Sequence, residues 1–350
     1  MYTRKLQPVP NKLIVNGTPQ FGSFSGAFSN FDIRGVERPF GNLPFPTAMT
    51  NTRIKGIMRF LLCDNIYLGE INLFYAGYFS FMETTLWNMK KNLKLAYRQV
   101  IPFHLLKLPQ NFTNSVTACR MKRRYVRILI HRPENLLYTD FDYIASDIRP
   151  SCEGHFEMNL SSTEKAEMST LIPYGIRQRC QASYQVKAPV RGWINIGSEY
   201  HKLQEEITSG FFSISKAYFP LRTKSCNLVG FGRIDDTVIS FQVGDSISNN
   251  ENEYNNNVLF VGNEVWPLPP VKITRPYGIA HEWVIQDTEN MVDLVFTPVS
   301  DSFRYLSIFI IRTQYHTIQG VFHGMLMNGR GKKFTLKEFN GIAKKILLRG

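Results

Sequence analysis

Short apolar or alternating runs recur along most of the chain, and residues that favour turns separate them. These runs lie at 57–64, 66–81, 125–131, 193–197, 237–244, 257–262, 291–298 and 305–327. Runs of this length bounded by turn residues are typical of strands. A succession of many short strands predicts an all-β sandwich or barrel.

Two segments combine helix-like spacing with stronger strand signals. Residues 85–101 place apolar side chains at helical intervals, but "NMKKN" in their middle is also typical of a polar turn between strands. Residues 335–348 begin with a capping-box pattern, yet Asn340 and Gly341 interrupt it with a hairpin signal. We therefore predict strands in both segments and one short helix around 161–168.

The same pattern of glycine and apolar residues at every second position occurs near both ends of the chain, in "FGSFSGAFSN" at 21–30 and "QGVFHGMLMN" at 319–328. Glycines and apolar residues alternate at every second position, so in a strand they share one face. Glycine beside phenylalanine allows a strand to curl as barrels require. We expect a bulge or bend at Gly320. The pattern fits two related barrels, or a first and a last strand that meet.

The length of 350 residues exceeds the roughly 250–300 at which a single core stops growing, so we expect two domains. We place an N-terminal β domain at 1–205 and a C-terminal β domain at 206–350. The polar run at 249–257 is predicted to be a loop, and the proline-rich stretch at 267–278 a connector or edge segment.

The net charge of +13 suits an anionic partner such as nucleic acid or an anionic membrane. The basic residues are scattered, however, and "RMKRRYVR" at 120–127 alternates like an amphipathic strand. "GRGKK" at 329–333 is typical of a solvated turn. Because only the net charge supports it, a basic interaction module is the weakest of three functional hypotheses, after small-molecule binding and catalysis.

Cysteine usage and hydropathy indicate a soluble cytoplasmic protein. The five cysteines are widely spaced without a Cys-x-x-Cys pair, which argues against a disulfide framework or a zinc site. The N-terminus lacks the apolar core of a signal peptide, and the longest apolar run is far short of the ~18–20 residues of a membrane span. Without nucleotide-binding glycine motifs, we expect no metal and no cofactor.

Five residues are candidates for ligand binding. Tyr218 and Arg222 belong to "YFPLRT", where an arginine among aromatic rings can hold a carboxylate or phosphate. The alternative is an ion pair, or an arginine stem packed on a ring. Tyr315, His316 and Phe322 fall in the long run at 305–327 and are candidates to line a pocket. The alternative for His316 is a hydrogen-bonded structural histidine.

Asp140 and Asp142 are the candidate acid–base pair. In "YTDFDY" they share one strand face, and two close carboxylates can hold one proton between them. They are equally suited to capping a turn.

Several segments of the chain resemble, in the same order and at similar spacing, those of a mostly bacterial family, domain of unknown function 2804. "FGSFSGAFSNFDIRG", "SYQVKAPVRGWINIG", "SKAYFPLRT" and "HTIQGVFHGMLMNGRGKKFTLKEFNGIAKK" are similar to its successive segments, along nearly the whole length. The chain departs from the family pattern at Ser213, Ala217, Thr317, Gln319 and Lys344. Any family activity that depends on those positions would be altered here.

That family is in turn similar to tandem lipocalin-like proteins, which include carotenoid hydratases. The resemblance implies two lipocalin-like antiparallel barrels or strongly curved sheets with few short helices. The first functional hypothesis is binding of a hydrophobic or lipid-like small molecule in a barrel pocket. The second is an enzyme of hydratase or isomerase type acting on an apolar substrate. The sequence leaves open whether the chain is an enzyme, and its oligomeric state.

Overall fold

A computed structural model describes residues 2–41, 45–77, 79–102, 105–175, 178–220, 222–234, 237–308 and 311–349. Nearly all of the regular structure is β. The chain forms one nearly closed barrel followed by one half-barrel sheet, which confirms the predicted fold class.

The described elements follow one another along two parts of the chain. The first part contains β1 (Gln7–Pro8), β2 (Ile14–Val15), β3 (Thr18–Pro19), β4 (Gly22–Ser25), α1 (Thr47–Asn51), β5 (Ile54–Cys63), β6 (Tyr67–Tyr75), β7 (Phe79–Asn88), β8 (Leu93–Pro102), β9 (Asn114–Met121), β10 (Arg124–His131), a 3₁₀ turn (Arg132–Glu134), β11 (Leu136–Tyr143), β12 (Cys152–Asn159), β13 (Ala166–Pro173), β14 (Cys180–Ile196), β15 (Glu199–Leu203) and β16 (Ser209–Tyr218). The second part contains β17 (Arg222–Ile234), β18 (Thr237–Gly244), β19 (Val258–Val261), β20 (Glu264–Pro267), β21 (Lys272–Thr274), β22 (Trp283–Gln286), β23 (Val292–Ile308), β24 (Ile311–Met327) and β25 (Lys333–Arg349).

Each part forms its own sheet. The first runs β8-β7-β6-β5-β16-β14-β12-β11-β10-β9, with β1, β4, β13 and β15 attached. The second runs β20-β19-β18-β17-β25-β24-β23-β22-β21. The change of sheet falls between Tyr218 and Arg222, whereas the predicted domain division at 205/206 stays a prediction.

Three sets of buried side chains follow from strand alternation. Phe60 and Phe156, with ring centroids 5.7 Å apart, belong to the large core inside the first barrel. Phe322 belongs to the core on the concave face of the second sheet. A third set, which includes Phe211 and Phe260, joins the two sheets. The convex faces of the sheets are therefore apolar in part and pack on each other.

The two glycine-spaced motifs take equivalent roles in different sheets. The matched phenylalanines are buried in different cores, Phe24 in the first and Phe322 in the second. The second glycine of each motif, Gly26 or Gly324, has a positive φ, 106° and 124° respectively. The bulge expected at Gly320 lies instead in the partner strand, where Val299 of β23 is left without a partner between Pro298, opposite Gly320, and Ser300. The pattern thus belongs to two separate sheets rather than to a first and last strand that pair.

Most local predictions agree with the structure, with two corrections. Residues 85–101 form the ends of the β7–β8 hairpin and 335–348 lie within β25, both strands as predicted. The hairpin turn signalled by Asn340 and Gly341 does not occur, because both residues lie inside β25. The helix predicted around 161–168 is wrong, because residues 160–164 form turns and β13 begins at Ala166. Ala166 and Met168 are buried alternately, which favours the strand. Among the described residues, no helix has the length and apolar character needed to cross a membrane.

Candidate functional site

Two charged residues interrupt the apolar strands β5 and β6. Met58 and Phe60 point into the first core, so Arg59 between them faces the second sheet. Its Nε atom lies 2.7 Å from Oε1 of Glu70 on β6. The side chains are only 7% and 3% exposed. A buried ion pair is costly unless further polar contacts satisfy it, so its surroundings matter.

The second sheet supplies those contacts. Lys344 on β25 places Nζ 2.6 Å from Oε1 of Glu70, and the same Nζ donates to Tyr315 Oη at 3.3 Å. Arg59 Nη1 donates to Asn227 Oδ1 on β17 at 3.0 Å. Glu70 therefore accepts from cations on both sheets, and the pairing fixes their relative position at this point.

The cluster extends along the junction through Tyr315. Its ring lies between two cations, with Arg304 Cζ 4.7 Å and Lys344 Nζ 4.9 Å from the ring centroid. Arg304 Nη1 donates to Glu83 Oε2 at 3.3 Å, and Arg98 Nε donates to the other oxygen of Glu83 at 2.7 Å. The phenol of Tyr315 is thus held in a fixed orientation among charges.

Positive charge exceeds negative charge in this cluster. Its ionisable groups are Arg59, Arg98, Arg304 and Lys344 against Glu70 and Glu83. The excess is two positive charges when Lys344 is protonated and one when it is neutral. Because most of these groups are buried, the excess favours an anionic or oxygen-rich ligand beside them.

Burial changes the acid–base properties of the cluster. It lowers the pKa of Lys344 to about 7, against the attraction of Glu70 and with added repulsion from Arg59. Burial opposes ionisation of Glu70, but Lys344 and Arg59 together hold the pKa of its carboxyl below the usual value. Burial, followed by the charge of Glu70, raises the pKa of Tyr315. Near neutral pH, Lys344 can therefore both give and take a proton, while Tyr315 keeps its own.

A cavity of about 150 Å³ lies against this cluster, between the two sheets. Arg59, Tyr315 and Lys344 line it, whereas Glu70 lies behind them. Its other polar lining includes Gln185, Ser213, Ser215, Thr313 and Gln242. Its apolar lining includes Ile57, Phe74, Phe219 and Ile346. A cavity of this volume accommodates a molecule of about the size of benzene.

Several polar atoms of the lining residues are buried without a hydrogen-bond partner among the described residues. They are Arg59 Nη2, Gln185 Oε1 and Thr313 Oγ1. Leaving such a group unpaired costs about 1–3 kcal/mol, and more for a charged group. The donors and acceptor therefore favour a polar molecule over a purely apolar one.

The loop predicted at 249–257 forms one wall of the cavity. Asn255, Asn256 and Asn257 line it. Arg4 donates from its guanidinium to the carbonyl oxygens of Asn255 and Asn257, at 2.5 and 2.8 Å. Thr170 Oγ1 lies 2.5 Å from Asn256 Oδ1, so the loop is held from both sides.

Of the residues predicted to bind a ligand, only Tyr315 lines this cavity. His316 follows it on β24 and points to the other face, where Nδ1 lies 2.7 Å from Asp301 Oδ2. Phe322 is fully buried among Phe241 and other rings of the second core. Alternation along the strand separates Tyr315 from His316.

The remaining predicted residues lie elsewhere. Tyr218 is fully buried, and its hydroxyl donates to Ile33 O at 3.0 Å within the first barrel. Arg222 is exposed at the start of β17. Asp140 pairs with Arg127 and with His155 on the outside of the first barrel. Asp142 on the same strand is exposed, so the structure pairs neither of these two carboxylates with His316, whose partner is Asp301.

Arg59, Glu70 and Lys344 were not predicted as functional residues. The available signal was a lone charge inside an apolar strand run, in "IMRFLLC" and "GEINLF". Lys344 stood out only as a departure from the family pattern, and so did Ser213, which also lines the cavity. Such charges become informative only once the convex faces are known to pack together.

The fold and this site define an all-β protein of two curved sheets with a polar cavity between them. The sequence matches Domain of unknown function (DUF2804) over residues 17–349, and the chain belongs to that family. No curated protein matches the sequence. Kievitone hydratase from Nectria haematococca is a similar solved structure, with 8% identity and a TM-score of 0.46 over 99% of this chain and 98% of that one.

Proposed function

We propose that the chain binds a small molecule with an anionic or carbonyl oxygen in the cavity between the sheets, and that Lys344 transfers a proton on it. The observation that carries this proposal is the position of the Lys344 ammonium, which lines the cavity between Glu70 and Tyr315. Its pKa of about 7 suits a group that gives and takes protons at neutral pH.

Each lining residue has a distinct role in this proposal. Arg59 Nη2 binds the ligand oxygen, because it is a buried donor without a partner among the described residues. Tyr315 accepts from Lys344, which leaves its own O–H to donate to the ligand. Neutral Lys344 takes a proton from a carbon or oxygen atom of the ligand. Glu70 then holds the resulting Lys344 ammonium in position. This chemistry falls in the hydratase or isomerase class that the sequence offered as an alternative.

The ligand position differs from the first sequence-based hypothesis. A hydrophobic ligand inside a barrel would share its space with the rings of the first core. The cavity between the sheets has both polar and apolar lining residues, so it suits a small ligand with one oxygen-bearing end.

Binding is tested by calorimetry with three probes of equal size: benzoate, benzyl alcohol and benzylamine. We expect benzoate to bind at least tenfold more tightly than the other two. Lys344→Met should weaken benzoate binding by a similar factor, and Lys202→Met, at an exposed lysine, should leave it unchanged. Equal affinity for benzylamine and benzoate would overturn the proposed ligand class.

Proton transfer is tested by deuterium exchange at the carbon next to the carbonyl of cyclohexanone, followed by NMR in D₂O. The wild-type chain should accelerate exchange, and Lys344→Met should lower the rate by about 10²–10⁴-fold. Tyr315→Phe should lower it less. Exchange at the same rate in wild type and Lys344→Met would leave binding as the only function of the cavity.

A further inference from the structure

A second cavity, of about 430 Å³, lies at the end of the first barrel where β5 begins and β16 ends. Ile54, Gly56 and Lys216 line it, whereas their neighbours Ile57 and Ser215 line the cavity between the sheets. The two cavities are thus lined by different residues of the same two strands. Ligand pockets in proteins typically measure about 300–1,000 Å³, so the second cavity falls within the range that holds a small molecule.

Cations dominate the lining of this second cavity. Arg34, Lys55, Lys107 and Lys216 line it, with Asp32 as the single carboxylate. Asp32 is already paired with Arg34, whose Nη2 lies 2.6 Å from Oδ2. The lining therefore carries an excess of three positive charges.

Two of these lysines are buried without a bonded carboxylate. Lys216 Nζ donates to the carbonyl oxygens of Phe31 and Pro109, at 2.9 and 2.6 Å, which are neutral acceptors. Lys55 is 5% exposed, and among the described residues its Nζ has neither a hydrogen bond nor an ion pair; the Nζ lies 6.0 Å from the centroid of the Phe219 ring. Burial lowers the pKa of each ammonium to about 8, so both remain largely protonated at pH 7. A buried cation of this kind is stabilised by an anion that comes from outside.

The rest of the lining is aliphatic in large part, with Asn51, Tyr75 and Gln110 as its other uncharged side chains. Ile54, Leu106 and Leu108 line the cavity, and Leu106 is fully buried. Two exposed apolar residues lie close to lining residues in the chain: Leu105 directly precedes Leu106, and Met49, in α1, lies two positions before Asn51. The cavity thus combines a cationic part with an aliphatic part that continues towards the surface.

We propose that this second cavity is a binding site for an aliphatic carboxylate, with the carboxylate on Lys55 and the chain along Leu106 and Leu108. The site is separate from the cavity that contains Lys344 and does not depend on the function proposed for it. Three features carry the proposal: the volume, the excess positive charge and the unpaired buried ammonium of Lys55.

The experiment measures binding of octanoate by calorimetry, with 1-octanol and octyltrimethylammonium as neutral and cationic probes of the same chain length. We expect octanoate to bind at least tenfold more tightly than either. Lys55→Met should weaken octanoate binding at least tenfold. Lys107→Glu, at an exposed lining position, should weaken octanoate binding several-fold without disturbing the core. Lys90→Glu is its control, because it makes the same change of net charge at an exposed position outside the lining.

The two cavities are distinguished by the Lys344→Met variant, which should retain octanoate binding. Equal binding of octanoate and octanol would overturn the proposal, and so would octanoate binding that survives both Lys55→Met and Lys107→Glu. Loss of octanoate binding in Lys344→Met alone would assign it to the cavity between the sheets and likewise overturn the proposal. If Lys55→Met does not fold, the comparison of Lys107→Glu with Lys90→Glu decides.

Discussion

The ammonium of Lys344 lies 2.6 Å from a carboxylate oxygen of Glu70, and the two residues belong to different sheets. Arg59 binds the same oxygen from the first sheet. One buried carboxylate therefore pairs with two cations at the junction and orients the lysine towards the cavity. Stability and function are coupled at this point, which makes both testable with the same substitutions.

Replacing Glu70 with glutamine should destabilise the protein by about 3–5 kcal/mol, because it leaves Arg59 and Lys344 buried without a counter-charge. Urea unfolding at pH 7 measures the free energy of unfolding. Glu206→Gln is the matched control, since Glu206 is exposed, and it should change stability by less than about 0.5 kcal/mol. Adding Lys344→Met to Glu70→Gln should restore part of the loss. A fully additive double variant would contradict the pairing.

The pH dependence of stability should report the low pKa of Lys344. Between its native pKa of about 7 and its higher unfolded value, the unfolded chain holds a proton that the native chain has released. Stability therefore rises with pH in that window, by up to about 1.4 kcal/mol per pH unit for this one group. Lys344→Met should show a smaller rise than wild type in urea unfolding at pH 7, 8 and 9. If the free energy of unfolding rose equally with pH in wild type and in Lys344→Met, Lys344 would have an ordinary pKa in the native protein.

Affinity for an anion should also depend on pH. Benzoate favours protonated Lys344, so its binding above pH 7 should take up a proton. The dissociation constant should increase by up to about tenfold per pH unit until the pKa of Lys344 in the complex is reached. Calorimetry in two buffers of different ionisation enthalpy measures the proton uptake directly. Binding without proton uptake at pH 8 would contradict the assigned role.

Gly324 should tolerate alanine poorly. Its φ is +124°, and a Cβ atom there would lie 2.2 Å from Asp293 O in the neighbouring strand. Gly278 has a φ of +95° with nothing within 4 Å of such an atom, so Gly278→Ala reports the backbone strain alone. We expect Gly324→Ala to cost about 1–3 kcal/mol more than Gly278→Ala in urea unfolding. Equal losses would mean that the strand around Gly324, where the β24–β25 register shifts, relaxes around the new side chain.

Substitution of the residues first suggested by sequence should leave the cavity between the sheets intact. His316→Ala and Asp142→Asn both lie outside its lining. Benzoate affinity should stay within about twofold of wild type in each, because neither side chain contacts Arg59, Tyr315 or Lys344. A tenfold loss in His316→Ala would require a ligand position on the other face of β24, and a tenfold loss in Asp142→Asn would require one beside β11.

The fold was predictable because strand alternation and turn residues are local signals. The β25 strand shows both sides of this: the alternating residues favoured a strand correctly, but the turn signalled by Asn340 and Gly341 does not occur, because both lie inside β25. The short helix expected near 161–168 failed because Ala166 and Met168 pack between the sheets, a contact that local sequence does not contain.

The site was less predictable, because it forms where two convex faces meet. Tyr315 was identified from its setting in a long apolar run, but His316 beside it belongs to the opposite face. Arg59 and Glu70 are eleven positions apart and meet through antiparallel pairing of β5 and β6. Lys344 reaches them from a strand almost three hundred residues along the chain, and only the packing of the sheets brings it there.

The most direct test of the account is a crystal structure of the protein with benzoate. The carboxylate should lie in the cavity between the sheets, within hydrogen-bond distance of Arg59 Nη2 and Lys344 Nζ, with the ring against Ile57 or Phe219. Benzoate bound elsewhere, with Arg59 and Lys344 making no contact to it, would contradict the assignment of this cavity as the functional site.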